Sequence, residues 1–141
     1  MLARRPRWPE GLNLSTWRHA LDGAEPVHRA TLDAFNAQAA PFGFSPTTLC
    51  PVYGLAENTL VATGHRRGEP LRTATVSLSG LQANEVRAPA RDADRSTIVG
   101  NGRPFPGMAV RIAGQDGEDL GERKLGEIWV QSPSLAAGYL G

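Results

Sequence analysis

Cysteine is all but missing from this 141-residue sequence, with Cys50 as its single example. That excludes an internal disulfide and any multi-cysteine zinc site, and it suits a reduced, cytoplasmic setting. Lysine is as scarce: of the 15 basic residues, all but Lys124 are Arg. Neither charge sign dominates, since the formal net charge is +1. A dedicated nucleic-acid binder with a strong basic face is therefore not expected. No apolar run approaches the roughly 20 residues of a membrane span. The basic opening, Met1 to Arg7, is not followed by an apolar stretch of signal-peptide length. The expectation is a soluble intracellular protein.

What is present is a chain of one-domain size, 40% hydrophobic, with Gly and Pro clustered at turn positions. Residues 1–13 lack periodicity and read as a poorly ordered lead-in. Thr16 to Leu21 alternates like a short strand. After the loop Asp22 to Glu25, Pro26 suits the first position of a helix running to about Ala40. Leu32, Phe35 and Ala39 share one helical face, and Pro41 and Gly43 close the helix. Thr47 to Val52 is a short apolar run that reads as a buried strand leading into a loop at Tyr53 to Glu57. Strand, loop, helix, strand and loop in this order predict an α/β sheet with parallel strands. In such sheets ligands bind at loops beyond the carboxyl ends of the strands.

Beyond residue 65 the character changes. Thr73 to Ser79 alternates like an exposed strand, and Arg87 to Ser96 is charged and reads as a mobile loop. Asp92 and Asp94, with Arg91 and Arg95, read as a solvated charge cluster. Met108 to Ile112 and Glu127 to Gln131 flank a turn rich in Gly and Asp, which predicts a hairpin or small antiparallel barrel. Trp129 is expected to fill the core of this half. Cys50 reads as a buried, inert thiol, and His19, His28 and His65 show no metal-ligand spacing.

Four segments resemble motifs of adenylate-forming enzymes. Trp17 to Pro26 is similar to their adenine-binding segment, and Tyr53-Gly54-Leu55-Ala56-Glu57 to their Tyr-Gly-x-(Thr/Ala)-Glu motif. Gly100-Asn101-Gly102-Arg103-Pro104-Phe105-Pro106-Gly107 is similar to their Gly-(Arg/Lys)-Pro-x-Pro-Gly turn. Gly126 to Val130, ahead of Gly138-Tyr139, is similar to their Gly-Glu-(Ile/Leu)-x-(Val/Ile) strand. Each alone is weak; all four in family order, over nearly the whole chain, are specific. Ala56, where many relatives have Thr, and the extra segment of roughly Arg66 to Ser96 resemble the fatty acyl-AMP ligase branch.

This resemblance implies a partial adenylate-forming N-terminal domain. Its parts would be residues 1–65 of the α/β adenine-binding subdomain, a family-type insertion at 66–97, and part of a β subdomain at 98–141. It implies that the insertion restrains a mobile C-terminal domain, so that the acyl group passes to an acyl carrier protein and not to CoA. It implies ATP or AMP bound by Gly23, Ala24, Glu25, Pro26, Tyr53, Gly54, Leu55 and Ala56, and Mg²⁺ held by Glu57. The chemistry is apt. Gly and Ala let a backbone approach a flat base, Tyr53 offers a face for stacking, and Mg²⁺ takes carboxylate and phosphate oxygens. Each residue also has a plain alternative: a strand-to-helix turn, a core Tyr, a surface Glu. Ala56 lacks the hydroxyl that Thr would aim at the α-phosphate.

Also implied is what the parent would need and these residues lack: a Ser/Thr/Gly-rich phosphate loop, a ribose-binding Asp and a catalytic Lys, a part that Lys124 in its turn does not suit. The expectation is an internal piece of an ATP-dependent, AMP-forming ligase, from a truncated gene, a split frame or a partial sequence, and inactive alone. Exposed strand edges and apolar patches are expected where the remainder of the enzyme is missing. The alternatives are a piece of an acyl-CoA ligase or amino-acid adenylation domain, or a non-catalytic module that binds nucleotide or a partner.

Overall fold

The computed structural model describes residues 8–140. The expected lead-in therefore divides. Residues 1–7 lie outside the described part, while Trp8 packs on Phe35 and Phe42, with ring centroids 6.4 and 5.4 Å away. Residues 8–13 are thus tied to the core by an aromatic side chain and are not loose.

Strand β1 is short, Ala20–Asp22. The alternation that extends the expected strand back to Thr16 has another cause. Trp17 sits after a turn closed by its N–H on the Leu14 carbonyl, and its ring joins Phe35 and Phe44 edge to face. Helix α1 covers Arg29–Ala39, so Pro26 precedes it and His28 occupies the cap without a side-chain bond. Pro41 lies in a 3-10 turn, Ala40–Phe42, and Gly43 ends that turn with φ at 84°. The glycine position follows from that left-handed conformation. Leu32 and Ala39 are buried and pack with Phe44, Leu49 and Val99, with Phe35 partly buried against them.

Strand β2 runs Leu49–Gly54, entered through a 3-10 turn at Pro46–Thr48. It pairs in parallel with β1, Ala20 opposite Leu49 and Asp22 opposite Pro51. Two residues expected in the loop, Tyr53 and Gly54, belong to the strand, because β3 (Val61–Gly64) hydrogen-bonds to that end antiparallel. β4 (Thr73–Ser77) and β5 (Arg95–Val99) pair with each other. β6 (Arg103–Pro104) adds antiparallel to β3. The main sheet is therefore mixed, in the order β1-β2-β3-β6, and only its first pair is parallel. β7 (Ala109–Ala113) and β8 (Glu127–Gln131) form an antiparallel hairpin. Among the described residues no closed barrel is formed.

The second half of the expected mobile loop is regular: a 3-10 turn, Asp92–Asp94, leads into β5. Ser77 caps a short helix α2, Leu78–Gln82, by accepting from the Gly80 N–H. Arg95 and Ser96 enter β5. Asp94 is not merely solvated: it accepts from the Ser77 hydroxyl at 2.5 Å and the Ser79 N–H at 2.8 Å. Trp129 is not a core residue either. It is 41% exposed, with the Arg111 guanidinium 4.4 Å over its ring, a cation–π contact on the hairpin face. Apolar side chains are exposed on the sheet and beside it, Leu21 by 64% and Leu60 by 68%. No described helix is long and apolar enough to cross a membrane.

The Ser77 hydroxyl first, then the Ser79 N–H and hydroxyl, hold the Asp94 carboxyl down from 3.8 to about 2. A lowered folded-state value stabilises the native turn fully above about pH 4, and that contribution disappears as pH falls through about 2. In an NMR titration the Ser79 amide shift should report an inflection near 2, and Asp94→Asn should abolish it. An inflection at the ordinary carboxylate value would contradict the bonds described.

Candidate functional site

Parallel pairing makes β1 and β2 emerge at one edge of the sheet. The loop after β1 begins with Gly23, and a Cβ there would lie 2.7 Å from the Val52 carbonyl oxygen. Only glycine allows the two segments so close. Gly23 thus abuts the residue before Tyr53, and the loop around Ala24 stands beside the end of β2. Gly23, Tyr53, Leu55 and Glu57 are half-buried, while Ala24, Glu25, Pro26, Gly54 and Ala56 are exposed. Gly23 meets Val52, and Tyr53 to Glu57 follow it directly, so the two candidate segments leave neighbouring parallel strands at the same sheet end.

Two irregularities mark this end. The β2–β3 register slips between Tyr53 and Gly54, and bulges of this kind re-aim side chains. At Gly54 a Cβ would overlap the Leu60 carbonyl. The backbone also takes rare conformations on both sides: Ala24 has φ at 65° and Thr59 φ at 69°. For a β-branched residue such as Thr59 this is a true outlier. Strain of this sort persists only where neighbouring contacts over-determine it, and it gathers at ligand sites.

Glu57 lies in the 3-10 turn Ala56–Asn58, where its carboxylate accepts from the Tyr139 hydroxyl. Asn58, which sequence reasoning passed over, is 1% exposed. Its side-chain N–H donates to the Val61 carbonyl at 3.2 Å, and its Oδ1 accepts from Ser134 Oγ at 3.3 Å. No single-sequence signal separates such a buried polar anchor from a loop Asn. Among the described residues no three His, Cys, Asp or Glu side chains cluster as a metal site. Glu57 is thus a single carboxylate donor, which fits an ion that takes its other ligands from phosphate and water, as Mg²⁺ does.

The open groove beside β2, about 350 Å³, is lined on its polar side by His65, Arg66, Arg67 and Arg103. Cys50 borders it and is buried and unpaired; burial pushes its thiol up, against a smaller opposing pull from Arg67. Larger grooves of about 530 and 440 Å³ flank Trp129 on the hairpin, and neither is lined by the two loops.

Two parallel strand ends with a glycine contact between their loops form the kind of place at which α/β sheets take ligands. A family model described as AMP-binding enzyme matches residues 1–140, and the chain belongs to that family. It is 40% identical over 132 residues to the medium-chain fatty-acid–acyl-carrier-protein ligase JamA of Moorena producens, covering 91% of this chain and 22% of that protein. It is 33% identical over 134 residues to the long-chain fatty-acid–AMP ligase FadD32 of Mycolicibacterium smegmatis, covering 92% and 21%. The chain therefore spans about a fifth of the length of these relatives. Among solved structures, the fatty acyl-adenylate ligase from L. pneumophila in complex with acyl adenylate and pyrophosphate superposes with a TM-score of 0.83 at 37% identity. That match covers 92% of this chain and 23% of the other. The fold is thus a part of the adenylate-forming N-terminal domain.

Gly54→Ala should force β2 from β3 and cost on the order of 2–3 kcal/mol, since the clash is with backbone and no rotamer relieves it. Loss of hydrogen-exchange protection at Thr63 and Gly64 would report it. Unchanged protection would show that the bulge yields without cost.

Proposed function

We propose that this chain forms the adenine-side wall of a fatty acyl-AMP ligase. The parent joins a fatty acid to ATP as an acyl-adenylate, releases pyrophosphate and hands the acyl group to an acyl carrier protein. The observation that carries this reading is the approach of Gly23 to Val52, the residue before Tyr53. A purine ring would lie along the backbone of Gly23, Ala24, Glu25 and Pro26 and stack on Tyr53. Gly54, Leu55 and Ala56 would follow the phosphate side, where Ala56 offers its N–H and no hydroxyl. Mg²⁺, when bound, would neutralise phosphate charge, with Glu57 as its protein ligand. The likeness to ligases that bear acyl-carrier-protein and AMP-ligase names supports the substrate class. Phosphate-loop, ribose-binding and lysine groups would come from elsewhere in the parent, so the 141 residues would not catalyse adenylation by themselves.

The insertion, residues 66–97 in this reading, would include β4 and the first three residues of β5, whose pairing with β4 continues to Val99. It would hold the mobile domain away from a CoA-competent arrangement. The competing parent is a CoA ligase or an amino-acid adenylation domain. An adenylation domain of a keto acid-selecting module superposes with a TM-score of 0.78 at 26% identity, covering 90% of this chain and 25% of that one.

Isothermal titration with AMP and a non-hydrolysable acyl-AMP analogue tests the wall. Binding should be measurable and weak, and Tyr53→Ala should weaken it about tenfold, the loss of one base–aromatic stack. Equal binding by Tyr53→Ala would remove the adenine assignment. In an intact ligase carrying this segment, removal of residues 66–96 should permit CoA-thioester formation; failure to do so would favour the competing parents.

A further inference from the structure

The segment after β8 returns across the molecule to the turn that carries Glu57. The Ala136 N–H donates to the Glu57 carbonyl at 2.7 Å. Ser134 Oγ donates to the Asn58 carbonyl and side-chain oxygen at 3.4 and 3.3 Å. Thr59 Oγ1 donates to the Ser134 carbonyl at 3.3 Å. The Tyr139 hydroxyl donates to Glu57 Oε1. These contacts join residues 75 to 82 positions apart, and they converge on the turn whose exit, Thr59, has positive φ. Tyr139 is 86% exposed, so burial does not hold its ring. Its hydroxyl reaches one carboxylate oxygen and leaves Glu57 Oε2 for another partner, since a carboxylate accepts on both oxygens.

We infer that Ser132 to Tyr139 is a strap that sets the Glu57 turn, and that Tyr139 is the positioning residue for the Glu57 carboxylate toward a phosphate-bound divalent cation. This rests on the reading of Glu57 as a cation ligand. The strap fixes the backbone, through Ala136 and Ser134. The hydroxyl fixes the rotamer, so that the free oxygen is aimed before the cation arrives. Groups that orient a metal ligand in this way typically matter by 10–100-fold in metal affinity.

The test uses the full chain, with Mn²⁺ as an EPR-visible probe titrated in the presence of AMP, and hydrogen exchange of the Ala136 amide as the measure of strap docking. Tyr139→Phe should weaken Mn²⁺ binding about tenfold while the Ala136 amide stays protected. Glu57→Gln should remove the binding altogether. If Tyr139→Phe binds like the parent chain while Glu57→Gln does not, the positioning role is overturned and the ligand reading stands. If Tyr139→Phe loses protection and affinity together, Tyr139 only holds the strap, and the positioning role is likewise overturned. If the parent chain and Glu57→Gln behave alike, Glu57 is not a cation ligand and both readings fall.

Discussion

The parallel ladder between Ala20–Asp22 and Leu49–Pro51 is the constraint on which the site depends. A parallel pair needs a long crossover, and here α1 supplies it. Three paired positions give too few hydrogen bonds to hold a crossover in place. The packing beneath them does that: Leu32 and Ala39 of α1 against Leu49 and Phe44, with the edge-to-face rings of Trp17, Phe35 and Phe44 at 5.2–6.2 Å. Apolar burial is roughly proportional to area and has no direction. Direction comes from the ladder, which sends both strand ends to the same edge. Gly23 then converts that shared edge into a close contact.

Strain at this edge is held by partners distant in sequence. Ala24 and Thr59 take conformations that cost of order 1–3 kcal/mol each. The β2–β3 bulge needs a glycine at 54 because the Leu60 carbonyl leaves no room for a side chain. Asn58, buried beneath the turn, bonds to Val61 and accepts from Ser134. An unpaired amide there would cost more than the bonds return. The turn is thus defined from both sides, by β3 and by the returning strap.

How far the sequence discloses this depends on the range of the interaction. The face of α1 is legible because Leu32, Phe35 and Ala39 repeat at the helical period. The β7–β8 hairpin is legible because two alternating runs flank Gly114 and Gly117. The start of α1 is not, since Pro26 imitates a first-turn signal while His28 caps without a side-chain bond. β5 is masked by Arg91, Asp92, Asp94 and Arg95, whose charges read as a solvated loop. Its strand character comes from β4, which pairs with it antiparallel from Ser77 opposite Arg95 to Thr73 opposite Val99, and from the Asp94 bonds to Ser77 and Ser79. The motif around Tyr53 is legible as a pattern, yet the bulge that aims it is not, because register slips are decided by the partner strand. The strap is invisible for the same reason: its bonds span 75 to 82 residues, and neither Ser134 nor Tyr139 carries a local mark of its partner.

The same geometry determines what kind of binding such a wall can provide alone. A purine has two faces and an edge, and on the proposed reading the chain meets it with one aromatic face, one short stretch of backbone and one carboxylate. Leu21 and Leu60 stay open to solvent, so nothing here excludes water from the slot. In high dielectric the attraction between Glu57 and a phosphate-bound cation is small, and it grows as water is displaced. On that reading, affinity and chemistry would require closure by the rest of a parent ligase; the relatives themselves are some four to five times the length of this chain. What the segment contributes is preorganisation: a glycine contact, a bulge and a strap that fix one side of the slot before anything closes over it.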